Sequence, residues 1–154
     1  MEIRHIEQVV DVTVTEERHE IKLVEQAVEV RHFDELRVVT IDGNTATVTA
    51  AEALGGHRVV TVSGNYASKD NAADKFKILG VTQGAVSNGA TATVTTYGTM
   101  TESSWNWTEG SPVFLSTNGL LTQTPPTSGF RIIIGRPQTA TTLFVDISEP
   151  IIIL

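Results

Sequence analysis

The stretch HRVVTVS, residues 57–63, carries the pattern that decides the fold, because it is a short run dominated by β-branched residues. Thr, Val, Gly and Ser dominate the chain after residue 40, whereas Leu, Lys and Glu are sparse there. This composition is typical of β-strands. Similar runs predict further strands at 36–41, 45–50, 77–83, 91–97, 112–116, 120–123, 130–135, 142–147 and 150–154.

Turn residues separate these runs at intervals of about eight to twelve positions. The strongest hairpin signals are Asn-Gly at 88–89 and at 118–119, and Asp-Gly-Asn at 42–44 gives another turn. Only AAEALGG (50–56) and KDNAADKF (69–76) look helical, and each is long enough for one or two turns. The sequence therefore predicts an all-β protein: a compact barrel, β-clip-like or sandwich body of short antiparallel strands, with an extended N-terminal β arm.

Composition excludes several classes of function. The 154 residues carry a net charge of −7 with a pI near 5.0, so we expect neither a nucleic-acid partner nor an anionic membrane partner. The chain has no cysteine, which excludes disulfides, zinc–thiolate sites and thiol chemistry. No secretory signal or apolar window of membrane-spanning length is visible, and we expect a soluble protein made inside a cell.

The N-terminal region repeats itself. EIRHIEQVVDV (2–12) returns as EIKLVEQAVEV (20–30), eighteen residues later, with six of eleven positions identical. In the first copy Val10 and Val12 alternate with polar residues, and in the second copy Val28 and Val30 do the same, which predicts strands with one apolar face. A helix over 16–26 is the competing interpretation, and the β-branched density weighs against it.

Residues 1–41, called here the N-terminal arm, hold much of the charge and contain neither Pro nor Gly, unlike residues 42–154. Two copies are too few for a solenoid, which needs about three repeats to enclose a core. A long strand unit without breakers invites pairing with another chain, so we expect the arm to complete itself on other subunits. The alternative is a hairpin that simply belongs to the main domain.

The chain from about residue 50 to residue 154 resembles the C-terminal modules of tailed-bacteriophage virion proteins, namely head decoration (cement) proteins, head-fibre proteins and modules of some tail fibres. The motifs that carry the resemblance occur in a specific order: HRVVTV (57–62), Tyr66-Ala67-Ser68, Ile78-Leu79-Gly80-Val81-Thr82, Gly89-Ala90-Thr91, Gly98, Trp105-Asn106-Trp107, Gly110-Ser111-Pro112-Val113-Phe114-Leu115, Gly119-Leu120-Leu121-Thr122, Pro125-Pro126, Ile134-Gly135 and Thr142-Leu143-Phe144-Val145.

The resemblance implies a compact β fold, usually trimeric, that serves as a structural part of the virion. Residues 42–154 would then form the virion module and the N-terminal arm a separate region. The collagen-like shaft that often precedes such modules in fibres is absent, which favours a decoration protein. We therefore expect a non-enzymatic capsid decoration protein in the virion, without cofactors, whose partners are its own copies in a homotrimer and the major capsid protein or neighbouring virion proteins.

Sites for chemistry are poorly supported. His5, His19, His32 and His57 show no metal-ligand spacing, although His5 and His19 could meet across a hairpin. Asp70, Asn71 and Asp74 do not meet the spacing of a calcium loop, and a helical turn capped at Asp70 explains them better. No serine lies in a nucleophile motif, and nothing indicates that Glu102 and Glu109 converge as a glycosidase pair would.

The sharpest local signal is Trp105-Asn106-Trp107, which would place both indoles on one face if the backbone is extended. The pair could stack on a sugar ring, as in a tail-fibre or baseplate adhesin that binds host-surface glycan. The alternative is that both indoles pack in the core or at a subunit contact.

The chain stops on four aliphatic residues after Pro150, which predicts a terminal strand buried against the body or a neighbouring subunit. The expected subunit or capsid contacts are Val10, Val12, Val28, Val30, Trp105, Trp107, Ile151, Ile152, Ile153 and Leu154.

Overall fold

A computed structural model describes the backbone of residues 2–6, 9–13, 29–32 and 38–154, and the side chains from Gly43 onward. The only described helix is a single 3-10 turn, Ala72–Asp74. The strands in chain order are β1 (Glu2–Ile6), β2 (Val9–Thr13), β3 (Glu29–His32), β4 (Val38–Asp42), β5 (Thr45–Thr49), β6 (Val59–Thr61), β7 (Ile78–Thr82), β8 (Thr91–Thr95), β9 (Tyr97–Thr101), β10 (Val113–Leu115), β11 (Leu121–Thr122), β12 (Phe130–Arg131), β13 (Ile133–Thr139), β14 (Thr142–Asp146) and β15 (Ile151–Ile152).

The described strands form two large sheets and two small ones. One large sheet has the order β3-β4-β5-β8-β7-β6 and the other the order β11-β10-β13-β14-β9, while β1 pairs with β2 and β12 with β15. Every pairing is antiparallel. The predicted all-β class is confirmed. Both large sheets keep two edge strands, so the body is sandwich-like and not a closed barrel.

Two apolar clusters fill the interior, and β6 and β7 take part in both. The larger cluster joins the five-stranded sheet to β6 and β7 through residues such as Leu115, Ile134 and Val59. The smaller cluster lies among β5, β8 and Val60. Successive strand residues point to opposite sides, so Val59 faces the larger cluster and Val60 the smaller one. The two strands are therefore buried on both faces, which explains why HRVVTVS reads as a nearly continuous apolar run.

One of the two Asn-Gly pairs forms a tight turn between strands. Asn118 and Gly119 have φ angles of 52° and 68°, and the Leu120 N–H donates to the Thr117 carbonyl at 3.0 Å. These values are those of a type I′ turn, the hairpin that Asn-Gly predicts, and it joins β10 to β11. The other Asn-Gly pair, 88–89, lies in the longer connection between β7 and β8.

Some predicted boundaries are wrong. The run 91–97 ends as β8 at Thr95, and a separate strand β9 begins at Tyr97. FRIIIG (130–135) divides into β12 and β13, and β13 continues to Thr139.

The helical expectations are also corrected. Residues 50–56 form no helix, because their N–H groups bond to the distant connection between β7 and β8: Ala50 N–H donates to Ala90 O and Leu54 N–H to Val86 O. Between 69 and 76 there is only the 3-10 turn. Its cap is Asn71, whose side chain accepts from the Ala73 N–H at 3.2 Å, and not Asp70.

The described part of the N-terminal arm is extended, as the repeat predicts. In the first copy β1 pairs with β2, with Val12 opposite Ile3 and Val10 opposite His5. At the end of the second copy β3 begins, and it pairs with β4, which continues through the 42–45 turn into β5. The backbone of β3 and β4 thus extends the six-stranded sheet, and the division of the chain at residue 42 stays a prediction.

Candidate contact residues

The predicted contact residues fall into three groups. In the arm, Val10 and Val12 lie on β2 and Val30 lies on β3, whereas Val28 lies outside the described residues. The second group is the tryptophan pair and the third is the C-terminal strand. The backbone places Val10, Val12 and Val30 in strands, and the role of all four valines in contacts stays a prediction.

The tryptophan pair lies in the loop between β9 and β10, not in a strand. Backbone bonds fix this loop to the β13–β14 hairpin: the Glu102 N–H donates to Thr141 O at 3.0 Å, and the Trp107 N–H donates to Ala140 O at 2.8 Å. Anchored in this way, the loop folds both indoles back over the larger apolar cluster.

Both indoles are partly buried and pack against that cluster. The ring centroids of Trp105 and Trp107 are 5.5 Å apart, with an angle of 49° between the planes. The tilt gives the two rings no common plane on which a flat sugar ring could stack. The Trp107 Nε1 donor is buried and has no hydrogen-bond partner. These observations support the packing interpretation of the pair.

A third aromatic residue, His57, joins the tryptophan pair, and sequence reasoning missed it. Its Nδ1 lies 3.2 Å from Glu102 Oε2, and its ring meets Trp105 edge-on at a centroid distance of 5.2 Å. The backbone of His57 is left-handed, with φ 56°, and its N–H donates to Thr82 O at 2.8 Å. Since His57 and Glu102 are far apart in sequence, no spacing rule could have joined them.

The Glu102 carboxylate holds its own loop in place. It accepts hydrogen bonds from the backbone N–H of Ser104 at 3.0 Å and from the Ser103 hydroxyl at 3.4 Å. The bonds from Ser104 lower the pKa of Glu102 below its usual range, with a smaller contribution from His57. The cluster is thus a tie between the connection that precedes β6 and the loop that follows β9.

The C-terminal strand β15 pairs with β12 in the register Phe130 opposite Ile152 and Arg131 opposite Ile151. The Ile153 N–H donates to Gly129 O at 3.1 Å, which extends the pairing by one residue. The predicted terminal strand therefore exists and is paired.

Burial of this strand by the body is not observed. Ile151 is 63% exposed, Ile152 is 57% exposed, and Leu154 is fully exposed. Successive strand residues point to opposite sides, so both faces of β15 are open. The prediction that the body buries these side chains is wrong, and their burial by a neighbouring subunit stays a prediction.

The tryptophan pair and β15 lie at opposite ends of β13. Trp107 bonds to Ala140, just beyond the end of that strand, whereas β12 immediately precedes its start. Seven residues of β13 span about 20 Å. The structure therefore does not bring these two groups of predicted contact residues together.

Other kinds of site are scarce in the part of the chain that the structure describes. Those residues include no group of three or more His, Asp or Glu able to hold a metal ion. The Asp70 carboxylate accepts from Lys69 Nζ at 2.6 Å, and Asp74 Oδ2 accepts from the Ser68 N–H at 3.0 Å. These acidic groups thus fasten their own loop. No described helix is long and apolar enough to cross a membrane.

The described chain is thus an antiparallel sandwich whose polar clusters tie loops together and whose terminal strand is apolar and open. Residues 40–142 match the phage cement protein family, which is more than half of the chain. The chain belongs to this family, a family of structural, non-enzymatic proteins of the phage capsid. Neither the curated proteins nor the solved structures contain a match to the chain.

Proposed function

We propose that this cement protein decorates the outer surface of the capsid shell as a homotrimer and stabilises the shell there. The observation that carries the proposal is the open C-terminal strand. Ile151, Ile152 and Leu154 leave apolar side chains in water at one end of the sandwich. Isolated exposed aliphatics are ordinary, but three in one terminal segment indicate a surface that another protein covers.

The N-terminal arm supplies the second set of contacts in this proposal. Its first repeat forms the hairpin β1–β2, and among the described strands these two pair only with each other. An isolated two-stranded hairpin is marginally stable in water, so it gains stability by pairing with a further strand. The valines at 10, 12, 28 and 30 are the residues proposed for these contacts with neighbouring subunits or the major capsid protein.

Stabilisation of the shell is then mechanical. Each contact buries apolar area worth about 25 cal/mol per Å², and several contacts on one trimer act together. Loss of one contact is tolerated, whereas expansion of the shell has to break several at once. The net charge of −7 keeps free protomers soluble before they bind.

The test is binding of the purified chain to shells that lack it, measured by co-sedimentation, with the oligomeric state measured by light scattering at micromolar concentration. We expect saturable binding and a trimer in solution or on the particle. A monodisperse monomer that also binds the particle as single copies contradicts the trimer, and absence of shell binding contradicts decoration.

A matched truncation separates the arm from the body. A chain that starts at Asp42 keeps the described turns and both apolar clusters, so we expect it to melt cooperatively and to bind shells more weakly. An unfolded or insoluble truncated chain shows instead that the arm is part of the core. A glycan array checks the adhesin function: binding that disappears in Trp105→Ala favours it over decoration.

A further inference from the structure

In the part of the chain that the structure describes, no strand pairs with the outer edge of β15. The pairing of β12 with β15 alternates, as antiparallel pairs do, between residues that exchange hydrogen bonds and residues that do not. The Ile153 N–H bonds to Gly129 O, so residues 151 and 153 direct their backbone groups towards β12. Ile152 therefore directs its N–H and C=O to the opposite side.

The neighbours of β12 agree with this alternation. The Phe130 N–H donates to Lys69 O at 3.0 Å, on the side of β12 that faces away from β15. Phe130 is the register partner of Ile152. Because the Phe130 N–H points away from β15, Phe130 and Ile152 form a pair that exchanges no backbone hydrogen bonds. The loop at Lys69 thus covers one edge of the small sheet, and β15 forms the other edge.

Three properties make this edge suitable for an added strand. Its backbone groups point outward at Ile152, the side chains on both of its faces are more than half exposed, and Pro150 ends the segment on its N-terminal side. Proteins usually protect an edge with charge, a bulge or a covering loop. Residues 151–154 carry no side-chain charge.

The size of the edge determines the kind of partner. The exposed aliphatic side chains amount to a few hundred Å², well below the roughly 800 Å² per partner of a stable free-standing interface. A second copy of the chain in solution therefore gains too little from this contact alone. A surface that presents the same binding segment many times compensates for weak single contacts, because several contacts act together.

We propose that β15 receives an extended, apolar segment of the capsid shell protein by β-strand addition, with the Ile152 N–H and C=O bonded to that segment. This inference rests on the proposed decoration function and names its contact. Backbone bonds supply the register, and the exposed aliphatic side chains pack on the incoming strand.

The decisive pair of variants is Ile152→Pro and Ile152→Ala. Both shorten the side chain, but only proline removes the outward N–H and blocks a strand edge. Because that N–H faces away from β12, neither variant removes a hydrogen bond between described residues of the protomer. In the full-length chain, we expect both to melt near the wild type and Ile152→Pro to bind shells roughly tenfold more weakly than Ile152→Ala.

Amide hydrogen exchange gives a readout that needs no variant. The Ile152 amide of the wild type is expected to exchange rapidly in the free protein and to be protected on shells. Equal shell affinities of the two variants, or rapid exchange of that amide on shells, overturn strand addition while leaving decoration intact. A wild-type oligomer that Ile152→Pro dissolves in solution assigns the edge to a second copy and also overturns it. Absence of wild-type shell binding refutes decoration and this contact together.

Discussion

Replacing Gly119 with alanine is expected to destabilise the protein by about 3–5 kcal/mol. At φ 68°, a side chain at this position costs about 1–2 kcal/mol in conformational strain. A Cβ there would also lie 2.5 Å from Val59 O and 2.9 Å from Tyr66 Cδ1, so the turn has to move. Movement weakens the bonds from Val59 N–H to Gly119 O (2.8 Å) and from Gly119 N–H to Ala67 O (2.7 Å), each worth about 1 kcal/mol.

Gly89→Ala is the matched control for this variant. Gly89 also has a positive φ, 83°, but no atom lies within 4 Å of its added Cβ. It therefore incurs only the conformational cost of about 1–2 kcal/mol. Urea denaturation monitored by tryptophan fluorescence gives both values under a two-state analysis. If the two variants lose the same stability, the close packing of the 118–119 turn against β6 does not hold the sandwich together as argued.

Three further predictions concern the tryptophan loop and the C-terminus. In urea denaturation, Trp107→Ala is expected to lose about 3–5 kcal/mol of stability and Trp107→Phe far less. Phe keeps most of the packing against the larger apolar cluster and removes an unpaired buried donor. Equal losses of stability in the two variants contradict this prediction. Glu102 has a lowered pKa in the folded state, so its contribution is present above its usual pKa of about 4.5 and disappears as the pH falls through the lower folded value. Between about pH 7 and pH 3, the melting temperatures of the wild type and Glu102→Gln should therefore converge as the pH falls. A difference in melting temperature that widens in acid contradicts this prediction. Deleting residues 151–154 should weaken shell binding strongly while lowering the melting temperature by only a few degrees, since most of those side chains are exposed. A large fall in the melting temperature shows instead that the protomer buries them.

Much of the fold follows from local chemistry. β-branched runs and Asn-Gly turns act within a few residues, so β5, β7, β14 and the 118–119 turn lie where the sequence predicts. Ala-rich 50–56 is not helical, because its backbone bonds go to residues such as Val86 and Ala90, which no local pattern reveals. Gly98, one of the motifs of the resemblance, has a φ of 101°, and this conformation is accommodated within β9.

The candidate contacts were predictable only in part. Four terminal aliphatics after a proline predict a strand, and β15 exists. Whether the protomer buries that strand depends on the position of its β12 partner, which is a tertiary fact. His57 has no informative neighbour in the sequence, and its place beside Glu102 and Trp105 follows from how the two loops meet.

The double burial of β6 and β7 has a consequence for how the molecule opens. Val59 faces one apolar cluster and Val60 the other, so neither cluster can be exposed while these strands remain in place. Local fluctuations can free the amides of a loop or an exposed edge, but those of β6 and β7 require both halves of the sandwich to separate. The amides of Val59, Val60 and Val81 should therefore be among the slowest to exchange with solvent, at a rate governed by global unfolding.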